Sequence, residues 1–229
     1  MKFYEIKVDI ELKNKIHFQK APEAISKVIA THLIDFGYKK HNQNIIKNYV
    51  FSNLGKAKDG FFEGKKSFYL RTFDKEIANI MMDIDEYNKH NDKIFHIKNS
   101  TLKTIKKRYI NKLITLNPVF ITIDGKKGEF WTYKHDIGRL LISLQNNLLK
   151  KYNLITSQQL QPTHGFIQHL LIKNSSPFSY YFKGKRFLGF KLEITPNEDE
   201  ISQTLAFVAL GAGLGEKNSV VGGGYCIWQ

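Results

Sequence analysis

The order in which patterned segments follow one another constrains this chain most. From Phe3 to Leu12 the residues alternate: Tyr4, Ile6, Val8, Ile10 and Leu12 form a wholly apolar side, and Phe3, Glu5, Lys7, Asp9 and Glu11 form the other. That is the pattern of a half-buried strand with the first set on the core. Pro22 then opens a helix in which Ile25, Val28, Ile29, Leu33 and Phe36 recur at helical spacing, with Gly37 as its stop. The polar stretch from Tyr38 turns into a strand by Phe51, and Ser67 to Phe73 reads as another. Ile77, Ile80, Met81 and Ile84 mark a second helix, and a strand-rich section starts at Lys93. Strand, helix, strand, strand, helix, strand is the ferredoxin-like order.

The order then repeats. Val119 to Ile123 reads as a strand, and Ile137, Leu140, Leu141, Leu144, Leu148 and Leu149 give a long amphipathic helix ending near Tyr152. Phe166 to Ile172 and Phe187 to Ile194 read as strands. Pro196 to Leu210 reads as a helix that begins in Glu198, Asp199 and Glu200, where acids favour the positive end, and Tyr225 to Trp228 supplies a last strand. No linker separates the halves, and they share no clear sequence identity. The expected fold is α+β: two tandem ferredoxin-like (RRM-like) units, residues 1–115 and 116–229, the second carrying a glycine-rich loop at 211–224.

Charge narrows the partner. Against 21 Asp and Glu stand 35 Lys and Arg, a formal +14 on 229 residues, and a phosphate backbone is the commonest partner of such an excess. The positive charge comes in zones. One runs from Lys39 and Lys40 to Lys58 with no acid, another from Lys93 to Ile123 contains Lys106, Lys107 and Arg108, and a third is Lys183-Gly184-Lys185-Arg186. No apolar run reaches the ~18 residues of a membrane span, and the N-terminal alternation lacks the apolar core of a signal peptide. The single cysteine, Cys226, leaves no intramolecular disulfide and too few soft ligands for structural zinc; a cytoplasmic protein without membrane contact is expected.

Gly211 to Cys226 reads Gly-Ala-Gly-Leu-Gly-Glu-Lys-Asn-Ser-Val-Val-Gly-Gly-Gly-Tyr-Cys. A Walker loop needs Lys directly after Gly and then Ser or Thr, which Glu216-Lys217-Asn218 does not provide. A dinucleotide fingerprint follows a strand and opens a helix, the reverse of the order here. Glycines in such number permit positive φ, and successive N–H groups with Lys217 among them suggest an anion-binding concavity for a phosphate chain.

Acid clusters offer little to a metal. Met82-Asp83-Ile84-Asp85-Glu86 ends a helix, and Glu198 to Glu200 are simplest as helix-start charges. No metal site and no cofactor are expected. RNA carries its own nucleophile, the 2′-hydroxyl, and its attack on phosphorus requires proton transfers that histidine performs near neutrality, with lysine stabilising the added charge. His41 and Lys47 supply these types within one short segment.

The run Gly213-Leu214-Gly215-Glu216-Lys217-Asn218-Ser219, then glycines and a terminal strand, resembles the C-terminal glycine-rich loop of the CRISPR-associated repeat-RNA endoribonucleases, the pre-crRNA-processing branch of the RAMP superfamily. Their pattern of two Gly-hydrophobic-Gly clusters is matched in its first half and departs in its second at Val221-Gly222. The resemblance implies a double ferredoxin-like fold and metal-independent cleavage of CRISPR repeat RNA, leaving 2′,3′-cyclic phosphate and 5′-hydroxyl ends. In the archaeal form a histidine follows the first helix with a lysine six residues later, which His41 and Lys47 reproduce. That form's helical tyrosine aligns near Ala30. Other branches place the histidine on the helix itself, so His32 is the second candidate, with Tyr38 able to supply a phenol.

RNA contacts are expected from Lys39, Lys40, Lys106, Lys107, Arg108, Lys185, Arg186, Gly213, Gly215, Lys217, Asn218 and Ser219. The partner is CRISPR repeat RNA (pre-crRNA), with other CRISPR effector subunits as further partners, and the chain is a monomer or homodimer. The alternative reading is a non-catalytic RAMP-type RNA-binding subunit of a CRISPR effector complex.

Overall fold

The computed structural model describes residues 1–38, 46–123, 128–162 and 164–229. Strand β1 (Lys2–His17) is flanked on both sides by antiparallel partners, β3 (Phe61–Thr72) and β4 (Phe95–Lys106), and β2 (Tyr49–Phe51) adds to β3. The sheet order is β2-β3-β1-β4. The alternation read in β1 sets its packing: Ile6, Val8 and Ile10 join Ile25, Val28, Ile29 and Leu33 of α1 (Ala21–Asp35) in one core. Helix α2 (Lys75–Ile80) starts where the Asp74 side chain accepts from the Glu76 N–H, and it runs on into a 3₁₀ stretch at Met81–His90.

The second unit repeats the plan with additions. It comprises β5 (Leu113–Thr115), α3 (Ile137–Thr156), β6 (Ile167–Ile172), a hairpin of β7 (Phe178–Phe182) and β8 (Lys185–Gly189), then β9 (Leu192–Pro196), α4 (Glu200–Ala212), the short α5 (Asn218–Val221) and β10 (Cys226–Trp228). Its sheet order is β10-β5-β9-β6. With the hairpin set aside, both sheets have the fourth strand beside the first, then the third, then the second. The protein is thus a mixed α+β fold with two antiparallel sheets in ferredoxin-like order.

Three expectations need correction. Residues 119–123 form only single bridges, Val119 to Phe190, Phe120 to Glu216 and Thr122 to Phe130, and the sheet strand is instead β5. The strand expected at 187–194 is divided between β8, which pairs in the hairpin, and β9, which pairs in the sheet. Finally, the division expected at 115 falls on the last residue of β5, a strand of the second sheet, so the sheets part between β4 and β5.

Side chains on the other face of the first sheet join the units. Phe3 packs against Phe207 of α4 at 5.1 Å between ring centroids. Arg71 is buried there, donating from Nε to Glu5 at 2.6 Å and from Nη1 to the Cys226 carbonyl at 2.6 Å.

Candidate functional site

After α4 the glycine loop folds inward. Gly213 (φ +83°) and Gly215 (φ +68°) occupy the positive-φ region, and their carbonyl oxygens accept from Nζ of Lys151 at 2.7 and 2.8 Å. The Asn218 side-chain oxygen accepts from the same ammonium at 2.7 Å, and its Nδ2 donates to the Gly223 and Leu214 carbonyls at 2.7 and 3.3 Å. The expected concavity of N–H groups around an anion is therefore a cluster of oxygens around a cation. Gly213, Gly215 and Asn218, expected against RNA, are buried and face the protein's own groups. Further on, a Cβ on Gly224 would overlap the Leu214 carbonyl, so this backbone approach requires glycine.

What the loop presents outward is α5. Its Ser219 and Val220 help line a groove of about 620 Å³. Its polar lining also includes Lys20 at the start of α1, Glu23, Lys27 and Thr31 along that helix, Lys47 just before β2 and Tyr49 at its start, and Lys183 at the hairpin tip, with Ile16, Ile34, Ile94 and Phe182 as apolar wall. These parts are tied together: Ser26 Oγ donates to the Ser219 carbonyl at 3.3 Å, and the Tyr49 hydroxyl bonds the Ser219 side chain. Among the described lining residues, Lys20, Lys27, Lys47 and Lys183 stand with one acid, Glu23, whose carboxylate accepts the Lys183 backbone N–H at 2.8 Å, and Lys27 also reaches Asp92 beyond the lining at 3.7 Å. Such a surplus of positive charge in a concave site suits a polyanion. Partial burial holds Lys47 below the ordinary lysine range. Ala30 also lines the groove, where its methyl leaves space.

The candidate residues separate clearly. Lys47 and Ser219 are on the groove. His41, Lys39 and Lys40 lie outside the described residues. His32 belongs to the opposite, apolar side of α1: it is 1% exposed, and its Nε2 donates to the Ile80 carbonyl at 2.8 Å. Burial lowers its pKa, and it is a core histidine rather than one open to substrate. Tyr38 is likewise buried, its hydroxyl donating to Asp74 at 2.9 Å, and burial raises its pKa. Lys217 contacts Glu216 at 3.5 Å, and Lys185 and Arg186 are exposed on β8. Elsewhere, Lys106 is exposed at the end of β4, Lys107 donates to Thr204 at 2.7 Å, and the Arg108 guanidinium lies 5.0 Å from the Trp228 ring; none of the three lines the groove.

Sequence reasoning missed Lys20, Lys27, Thr31 and Lys183 as groove residues. The first three were legible in principle, since with Glu23 they recur three and four residues apart on α1. Lys183 was not, because hairpin docking brings it there. Among the described residues, no group of three or more His, Cys, Asp or Glu side chains is placed to hold a metal ion.

The chain thus combines two ferredoxin-like units with a buried glycine loop in the second and a lysine-lined groove beside that loop. No protein-family model matches the chain. It is 27% identical over 205 residues to the CRISPR-associated endoribonuclease Cas6 2 of Methanocaldococcus jannaschii, a match covering 81% of this chain and 82% of that one. Among solved structures, a Cas6-related protein from Pyrococcus furiosus superimposes with a TM-score of 0.72 at 17% identity, over 99% of this chain and 98% of the other. A RAMP protein described as binding different RNA substrates gives 0.72 at 17% identity over 99% of both chains. In sequence and in fold the chain is similar to CRISPR-associated Cas6 proteins.

Proposed function

We propose that this protein is an endoribonuclease that cuts CRISPR repeat RNA into guide RNAs, with the groove between α1, Lys47 and α5 as its cleavage site. The observation that carries the reading is the convergence on one groove of Lys47, the polar face of the first helix and the glycine-loop helix. The similarity to Cas6 endoribonucleases suggests the substrate class, and the lysines on the groove suit it.

In the proposed reaction, His41 takes the proton of the 2′-hydroxyl or returns one to the departing 5′-oxygen, with another group or water serving the other transfer. The 2′-oxygen bonds to the adjacent phosphorus and the bond to the 5′-oxygen breaks. The ends formed are a 2′,3′-cyclic phosphate and a 5′-hydroxyl. Lys47 stabilises the additional negative charge of the phosphorane. No metal is required by this scheme.

Cleavage of a repeat transcript by the purified chain, compared with His41→Ala and His32→Ala, tests it. Loss of cleavage with His41→Ala at unchanged RNA binding is expected, while a folded His32→Ala retains it. Tight binding with no cleavage by any form would favour the alternative of a non-catalytic RNA-binding subunit.

A further inference from the structure

Along α3 the apolar stripe Leu140, Leu144, Leu148 and Tyr152 faces the core, and Lys151 falls in register with it, three residues after Leu148. It is fully buried. An ammonium has three N–H donors and no acceptor, and here three oxygens meet it: the carbonyls of Gly213 and Gly215 and the side chain of Asn218, at 2.7, 2.8 and 2.7 Å. No carboxylate pairs with it among the described residues. The nearest acid in sequence to its partners, Glu216, spends Oε1 on the Thr122 N–H and hydroxyl, at 3.0 and 2.7 Å.

A charge buried without a counter-ion is unfavourable unless its hydrogen bonds are complete, and a methionine would pack this helix position without that cost. The ammonium does what methionine cannot: it holds together three oxygens that would otherwise repel across a dry space. Positive φ at two of the glycines turns their carbonyls to this one point. Asn218 carries the effect onward, because it begins α5 and the next two residues, Ser219 and Val220, line the groove.

We infer that Lys151 is a positioning residue of the groove, fixing the glycine loop and thereby the placement of Ser219 and α5 against α1 and Lys47. The inference rests on the proposed reading of the groove as a cleavage site. Burial pushes the Lys151 pKa down to about 7, against the opposing pull of Cys226 and Glu216 nearby.

The test compares wild type, Lys151→Met and Lys151→Ala as full chains, in single-turnover cleavage of repeat RNA, RNA affinity and amide hydrogen exchange. Lys151→Met is expected to bind RNA within about threefold of wild type and to cleave about 100-fold more slowly, the scale of a ~1 Å misplacement. Exchange should quicken in 213–224 and not in the first sheet. Ethylammonium should partly restore cleavage by Lys151→Ala, and ethanol should not. Wild-type cleavage and exchange in Lys151→Met would overturn the inference.

Should the variants not fold, ¹⁵N-lysine NMR of wild type at pH 6 decides: a slowly exchanging ammonium is expected, and a neutral amine overturns the inference. Wild type that binds without cutting would count against the proposed function alone, since exchange and NMR still judge Lys151.

Discussion

Nη1 of Arg71 on β3 donates to the carbonyl oxygen of Cys226 on β10 at 2.6 Å, so a buried guanidinium from the first sheet ends on the last strand of the second. The same side chain pairs with Glu5 at 2.6 Å and lies 4.5 Å from the Tyr225 ring. Arg71→Met leaves the Glu5 carboxylate without its partner in a mostly buried position. A loss of about 3 kcal/mol in urea unfolding is expected, the scale of a broken buried pair. Arg71→Lys should recover little of it, because a single ammonium lacks the planar fork that serves strand, carboxylate and ring together.

The two glycines at Gly224 and Gly184 have similar backbone, φ +64° and +73°, in different surroundings. A methyl on Gly184 meets nothing within 4 Å, whereas one on Gly224 overlaps the Leu214 carbonyl. Gly184→Ala should cost about 1 kcal/mol from backbone strain alone. Gly224→Ala should cost roughly 3 kcal/mol and slow RNA cleavage as well, because the loop must shift. Chemical unfolding of the two variants side by side checks the difference.

Lys151 makes stability depend on pH. Its folded pKa, about 7, lies below the ordinary 10.5, so the folded chain releases this proton first. Between those values the unfolded chain binds more protons, and stability therefore rises with pH from about 7 upward, while the cost of burying the charge is fully present below 7. Relative to Lys151→Met, which carries no proton in either state, wild type should gain on the order of 2 kcal/mol between pH 7 and pH 9. Unfolding free energies of both proteins across that range measure it.

Lys47 separates charge stabilisation from binding. Lys47→Ala should lower the single-turnover cleavage rate about 100-fold, as loss of a transition-state donor does, while changing RNA affinity by less than tenfold because Lys20, Lys27 and Lys183 remain on the groove. Equal losses in rate and affinity would make Lys47 a binding residue only.

Much of the fold was legible because the periodicities are long. The ten-residue alternation of β1 and the leucine stripe of α3 each specify one face, and their order carries the ferredoxin-like plan. Where elements are short, local pattern failed: β5 has three residues, and the more apolar Val119 to Ile123 took its place although it makes single bridges only, one of them from Phe120 to Glu216 of the glycine loop. The glycine loop was legible as a feature but not in its polarity. Glycine number reveals freedom of φ and does not say whether N–H groups or carbonyls turn inward, which here is set by a lysine some 60 residues earlier in the chain. That lysine left a trace, being in register with Leu144 and Leu148, where a charge has no place on an apolar face. His32 left the same trace beside Ile25 and Ile29, and it too is a core residue bonded to a carbonyl.

The central claim is that RNA supplies its own nucleophile in the groove beside Lys47. The most direct measurement is cleavage of repeat RNA against the same RNA with a single 2′-deoxy nucleotide at the cut site, both in EDTA. The account predicts that the all-ribose strand is cut to a 2′,3′-cyclic phosphate and that the deoxy strand is bound but left intact. Cleavage of the deoxy strand at the same position, or cleavage of neither strand until a divalent metal is restored, would contradict it.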